Sequence, residues 1–235
     1  INDMLDLSAD RRHSEKCQRP FASGDAPLVF GVVGAPVLLV VAFVLAAAAS
    51  APFMAALALY FLMTLAYSLF LKRHAMIDVL VLAMLYTMRI IAGAAVAGSM
   101  ASIWLLSFSM FLFASLAMAK RYAELKSLER SEGAWAGGRG YHVDDLAIVA
   151  QLGSAAGYVS ILVLALYIDS PELNENYTRQ GVMWLLCPLL MYWIGRLWLI
   201  ASRGDLHEDP VIFAARDRVS YVVVLLGVLA LWAAH

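Results

Sequence analysis

The sequence predicts an all-α fold, a polytopic transmembrane helical bundle, on three observations. Its 235 residues are 63% hydrophobic and only 15% charged, with a mean hydropathy of +0.76, whereas soluble domains are about 45–50% apolar and about 25% charged. The apolar residues gather in seven stretches, each close to the roughly 20 residues that cross a hydrocarbon core as a helix. No stretch shows the polar–apolar alternation of a membrane β-barrel.

The spans fall at 27–48, 51–71, 76–98, 101–119, 146–168, 181–201 and 217–235. Ser50-Ala51-Pro52 and Gly98-Ser99-Met100 separate neighbours tightly, and such short connections make antiparallel pairs. A polar segment, 1–26, precedes the first span and a loop, 120–145, follows the fourth, so residues 1–235 read as a single transmembrane domain. Of the 17 lysines and arginines, 14 flank the spans on one side. The positive-inside rule assigns that side, with the opening segment, to the cytoplasm. Arg179 occupies an opposite-side loop, and Arg89 and Arg196 lie within spans. Basic residues thus follow topology and form no nucleic-acid patch, so no nucleic-acid partner is expected. Cys17 and Cys187 are far apart in the chain, and reduced thiols are expected. The chain opens on isoleucine inside a motif, so a preceding segment is expected.

That opening is the most informative stretch. If it is helical, Asn2, Asp6 and Asp10 stand at i, i+4 and i+8, with Asp3 beside Asp6. Several oxygen ligands along one face suit a hard cation such as Mg²⁺ holding a diphosphate. Lys16 and Arg19 follow as donors for phosphate oxygens. A solvated juxtamembrane helix with neutralising charges is the other reading of the same spacing.

Three further constellations fall on the same side. Tyr67 and Lys72-Arg73-His74 close the second span, with Asp78 entering the third; membrane anchoring also explains the two cations. Lys120-Arg121-Tyr122-Ala123-Glu124-Leu125 opens the longest loop, where Lys120 and Glu124 at i, i+4 share a helix face, as an ordinary surface pair also would. His142-Val143-Asp144-Asp145 ends that loop and reads as a polar cap before the fifth span. Asp205, His207 and Asp209 before Pro210 read as a solvated turn rather than a metal site. Arg89 stands eleven residues past Asp78, about 16 Å into its span. An intramembrane arginine should face the bundle interior or a wet cavity, either as lining for an anionic headgroup or as a buried structural partner.

Several chemistries are excluded. The sequence has no G-x-x-x-x-G-K-[ST] loop, C-x-x-C pair, H-E-x-x-H helix or G-x-S-x-G elbow. Gly137-Gly138-Arg139-Gly140 reads as a flexible loop tract, and no internal repeat points to an inverted-repeat transporter.

Asn2-Asp3-x-x-Asp6-x-x-x-Asp10, followed by Arg19-Pro20-x-x-x-Gly24, resembles the first aspartate-rich motif of the UbiA-type intramembrane prenyltransferase superfamily. Asp10-Arg11-x-His13-x-x-Lys16 looks most like its decaprenyl-phosphate phosphoribosyltransferase branch. Tyr67–Lys72, Arg89-Ile90-Ile91-Ala92-Gly93, Lys120–Leu125, Glu208-Asp209-Pro210 and Arg216-Asp217-Arg218 extend the resemblance through nearly the whole chain. It implies that the seven spans are helices three to nine of a nine-helix fold whose first two helices are missing.

The resemblance also implies a reaction. Superfamily members that ionise a prenyl diphosphate carry a second aspartate-rich motif where this chain has Lys120-Arg121-Tyr122-Ala123-Glu124. One acid and two cations suit a donor with an extra phosphate, such as phosphoribosyl diphosphate. The implied activity moves 5-phosphoribose to a polyprenyl phosphate at the cytoplasmic face of a bacterial-type inner membrane. Asn2, Asp3, Asp6 and Asp10 are the expected Mg²⁺ ligands, and Asp6, Asp10, Lys16, Arg19 and Glu124 the expected catalytic set. Lys72, Arg89, Lys120, Arg121 and Tyr122 are the expected substrate contacts. Ordinary prenyl transfer to an aromatic or other acceptor and non-catalytic lipid binding are the competing readings. Lipid length and oligomeric state stay open.

Overall fold

Ser50 ends one helix and begins the next, as the small-residue break requires. Its N–H bonds to the Ala46 carbonyl at 3.2 Å and its Oγ accepts from Phe53 N at 3.2 Å. It thereby caps α1 (Leu28–Ala49) at one end and α2 (Ala51–Leu69) at the other. The computed structural model describes Met4, Leu7, Arg11 and residues 16–130, 139–170, 173, 179–206 and 209–234. The described residues are helical with no strand, as composition predicts.

The chain forms two compact units. The first comprises residues 1–70 and 92–99. It holds α1 and α2, bridged by an edge-to-face Phe43–Phe61 pair at 6.4 Å, and the end of α3 (Ile77–Val96). Ser50 Oγ also donates to the Ala95 carbonyl at 3.4 Å. Gly31 of α1 is buried because Met4 and Phe21 fill the space a Cβ would occupy.

The second unit comprises residues 71–91 and 100–235. Its helices are the first part of α3, α4 (Ile103–Arg130), α5 (Leu146–Ile168), α6 (Leu186–Arg203), α7 (Pro210–Arg216) and α8 (Arg218–Ala234). The core joins Val79, Leu116, Leu125, Val149, Ile161, Ile194 and Leu197. Close approach of α4, α5 and α6 depends on small residues. A Cβ at Gly153 would overlap the Trp198 ring, and one at Gly157 would crowd Ile194 and Ser115. Trp198 Nε1 donates to Ser115 Oγ at 3.1 Å across the same interface.

Six described helices are long and apolar enough to cross a membrane; a seventh span results if α7 and α8, bent by 80°, count together. The bend sits at Asp217, which receives two bonds from Arg196, at 2.7 and 3.0 Å, and caps α8 through Ser220 N at 2.8 Å. Arg196, an intramembrane cation, is therefore paired. One helix runs past its span. The helix that carries the fourth span does not stop at residue 119 but continues to Arg130 through the first half of the predicted loop. Residues 120–130 contain no Gly or Pro and several strong helix formers. Arg130 then donates to the carbonyls of Arg203 (2.7 Å) and Gly204 (3.0 Å), placing its charge on the C-terminus of α6.

Candidate functional site

The polar centre of the second unit is built on Asp78, in the first turn of α3 and fully buried. A buried carboxylate needs partners, and Asp78 has two. Arg121 Nε of α4 donates to its Oδ2 at 2.6 Å and the Tyr141 hydroxyl to its Oδ1 at 2.8 Å. Tyr141 in turn accepts from Met76 N at 2.8 Å, steadying a non-glycine residue at φ +65°, a conformation that costs about 1–3 kcal/mol unless its surroundings hold it. Burial, and then the Asp78 charge, push the Tyr141 phenol well above its ordinary pKa. It therefore stays a protonated donor.

Arg121, itself 1% exposed, extends the network outward, with Nη1 donating to Glu124 Oε2 at 2.6 Å. Arg139 Nη1 lies 3.6 Å from the same oxygen. Lys120, one helical turn before Glu124, bonds to Asp209 Oδ2 at 2.5 Å, while Asp209 Oδ1 caps α7 by accepting from Val211 N at 3.0 Å. Lys120 and Glu124 share a face as expected, but each pairs with another residue rather than with the other.

The tract read as flexible is anchored where it is described. Gly140 has φ +69°, and a Cβ there would lie 2.8 Å from the Arg73 carbonyl. The loop thus packs against the turn Leu71–Arg73 that carries Lys72, a half-buried residue. His142 and Asp145 form a capping box ahead of α5, the polar cap that the sequence suggested.

In the first unit, Met4 and Leu7 are helical, and Arg11 N bonds to the Leu7 carbonyl at 3.1 Å. Asn2, Asp3, Asp6 and Asp10 lie outside the described residues, so among the described residues there is no group of three or more His, Cys, Asp or Glu suited to a metal. Lys16 begins a short turn, Lys16–Gln18, and half-buried Arg19 caps the turn Pro20–Ser23. Gly24 ends that turn at φ +91°, which explains the glycine of R-P-x-x-x-G.

Two expected substrate contacts are turned inward, and a third faces outward. Arg121 is buried between Asp78 and Glu124. Tyr122 is a core residue, edge-to-face with Trp198 at 5.9 Å. Arg89 is exposed, its guanidinium 4.8 Å above the Tyr86 ring, which stacks on Phe113. Beside α3 and α4 runs an apolar groove of about 380 Å³, lined by Met84, Met88, Ile91, Leu106, Met110 and Phe111 among others. Sequence reasoning missed the central parts of Asp78 and Tyr141; the available signal was an acid in the first turn of an apolar span.

Known proteins give the arrangement a context. Residues 1–216 match the model of the UbiA prenyltransferase family. The chain is 34% identical to y4nM of Sinorhizobium fredii over 95% of its length, covering 43% of that protein. It is also 34% identical to nodulation protein NoeC of Azorhizobium caulinodans over 96% of its length, covering 73% of NoeC. Decaprenyl-phosphate phosphoribosyltransferase of Mycolicibacterium smegmatis matches the full chain at 28% identity, with 74% of the enzyme covered. The chain therefore spans less than half of one relative and about three quarters of the other two. With its apolar helices and a family match through both units, this integral membrane protein belongs to the UbiA prenyltransferase family.

Proposed function

We propose that the protein transfers 5-phosphoribose from phosphoribosyl diphosphate to a polyprenyl phosphate, releasing pyrophosphate, at the cytoplasmic face of a bacterial-type inner membrane. The observation that carries this reading is the make-up of the α4 turn at 120–124. Its one carboxylate, Glu124, faces Arg121 and Arg139, while Lys120 one turn earlier pairs with Asp209. Such a turn suits a donor with an additional phosphate better than a second acidic clamp on one diphosphate. The similarity to decaprenyl-phosphate phosphoribosyltransferase, along this chain and over 74% of that enzyme, supports phosphoribosyl transfer. The 14 of 17 cationic residues on one side support the orientation.

Asn2, Asp3, Asp6 and Asp10 are an all-oxygen donor set, which fits Mg²⁺, and they are the residues to hold it. When bound, the ion neutralises charge on the diphosphate leaving group. Lys16, Arg19 and Lys120 bind donor phosphates, Lys120 exchanging Asp209 for the substrate. Glu124 orients ribose hydroxyls. Arg121 acts through Glu124 as a positioning residue, and Tyr122 supports the turn from the core. Lys72 or Arg89 receives the lipid phosphate, and the apolar groove takes isoprenoid. The attacking phosphate oxygen is already an anion, so no strong general base is required, and catalysis rests on positioning and electrostatics.

The test supplies radiolabelled phosphoribosyl diphosphate, Mg²⁺ and polyprenyl phosphate to the purified protein in detergent and follows label into the lipid phase. Metal-dependent labelling, lost in Asp6→Ala, is the expected result. Consumption of a prenyl diphosphate with an aromatic acceptor, and no labelling, would instead establish prenyl transfer.

A further inference from the structure

We propose that Arg139 is a binding and specificity-determining residue for a phosphomonoester dianion, the terminal phosphate of the sugar donor. The proposal rests on the reading above, in which both substrates carry such a group. Arg139 Nη1 is buried and makes no hydrogen bond. Its approach to Glu124 Oε2, 3.6 Å, is beyond hydrogen-bonding distance, and that oxygen already accepts from Arg121 Nη1 at 2.6 Å. A guanidinium does not escape an unmet N–H by losing its proton. An incoming acceptor can meet it after a small turn of the side chain, 23% of which is exposed.

The position is built rather than accidental. The three residues after Arg139 are each fixed. Gly140 is held at φ +69° against the Arg73 carbonyl. Tyr141 is bonded to Asp78 and Met76, and His142 is locked into the capping box of α5. Arg139 is therefore presented to Glu124 by a backbone anchored on its C-terminal side, which favours precise ligand positioning. The fork of a guanidinium matches the oxygens of a phosphate dianion. Both cations approach Glu124 on Oε2. A ligand offering a hydroxyl to Glu124 and an anion to Arg139 is a sugar phosphate. Lys72 and Arg73, on the segment against Gly140, add to the positive field.

The experiment measures ribose 5-phosphate binding, with ribose as control, by thermal shift of the purified protein in detergent with Mg²⁺. It compares the unmodified protein, Arg139→Lys and Arg139→Gln. Stabilisation by ribose 5-phosphate but not ribose is expected, with affinity about tenfold or more weaker in Arg139→Gln. Arg139→Lys should fall between the two. In the transfer assay, KM for phosphoribosyl diphosphate should rise similarly while kcat and the KM for polyprenyl phosphate hold. A rise in the lipid's KM alone, with ribose 5-phosphate binding unchanged, would overturn the donor assignment and give Arg139 to the lipid phosphate. Failure of the unmodified protein to bind ribose 5-phosphate, or equal affinity in all three folded proteins, also overturns it. Absence of phosphoribosyl transfer by the unmodified protein sinks the proposed reaction, while the binding measurement still decides Arg139.

Discussion

Asp78 and Arg121 form an ion pair with 0% and 1% of their side chains exposed, and their value lies in being intact. Removing one member of such a pair strands the other charge away from water, a cost of about 3–5 kcal/mol. Asp78→Ala should therefore lower the thermal midpoint in detergent substantially. Tyr141→Phe, which removes one donor to Asp78 and the acceptor for Met76 N, should cost about 1–3 kcal/mol. The reverse ranking would show that Arg121 finds other compensation. The two effects should also be non-additive in a double-mutant cycle, because the residues share a bond. The Tyr141 phenol is raised by burial and by Asp78. Its contribution to stability is thus fully present below the unfolded-state pKa of about 10 and is lost only as pH rises through the higher folded value. Stability measured across neutral pH should not vary on account of this group. Little of the network was legible in the sequence: Asp78 stood out as an acid entering an apolar span, but Arg121 and Tyr141 are 43 and 63 residues away, and no local period encodes such pairings.

Among the elements, α1, α2, α3, α5 and α8 were legible to within two residues at each end, since hydrocarbon thickness sets their length and small residues or proline interrupt them, whereas the short α7 was not. Nor was the second half of α4. Polarity rises at Lys120, where the chain meets charged residues, and the rise marks departure from an apolar environment rather than the end of a helix. The loop before α5 misled in the opposite direction, because glycine signals freedom in sequence yet at Gly140 it serves one left-handed conformation, beside a carbonyl, that a residue with a Cβ would find strained. Gly140→Ala should cost about 1–3 kcal/mol through its positive φ and should weaken function by displacing Arg139. Gly93→Ala, at a helical glycine with nothing within 4 Å of the added Cβ, is the control and should be neutral or stabilising by about 0.5–1 kcal/mol. Thermal midpoints of the two variants, measured side by side, check the contrast. Equal midpoints would mean that the Arg73 contact carries no strain.

For the molecule as a whole, seven apolar stretches and a motif-bearing opening were enough to indicate a membrane bundle of this family, because both signals are local in sequence. The length of α4 carries one more consequence. Its 28 residues measure about 42 Å at 1.5 Å per residue, against a hydrocarbon core of about 30 Å. Lys120 and Glu124 stand about 26 and 32 Å from the helix start on the same scale, close to the full thickness of that core. On the proposed reaction the helix is a depth gauge, setting the height at which the donor site of Lys120 and Glu124 stands and leaving the isoprenoid tail of the acceptor unmeasured. In vesicles of short-, medium- and long-acyl phosphatidylcholine, transfer should peak where bilayer thickness matches that height and fall on either side. Lengthening the isoprenoid of the acceptor should matter far less than thickening the membrane around it.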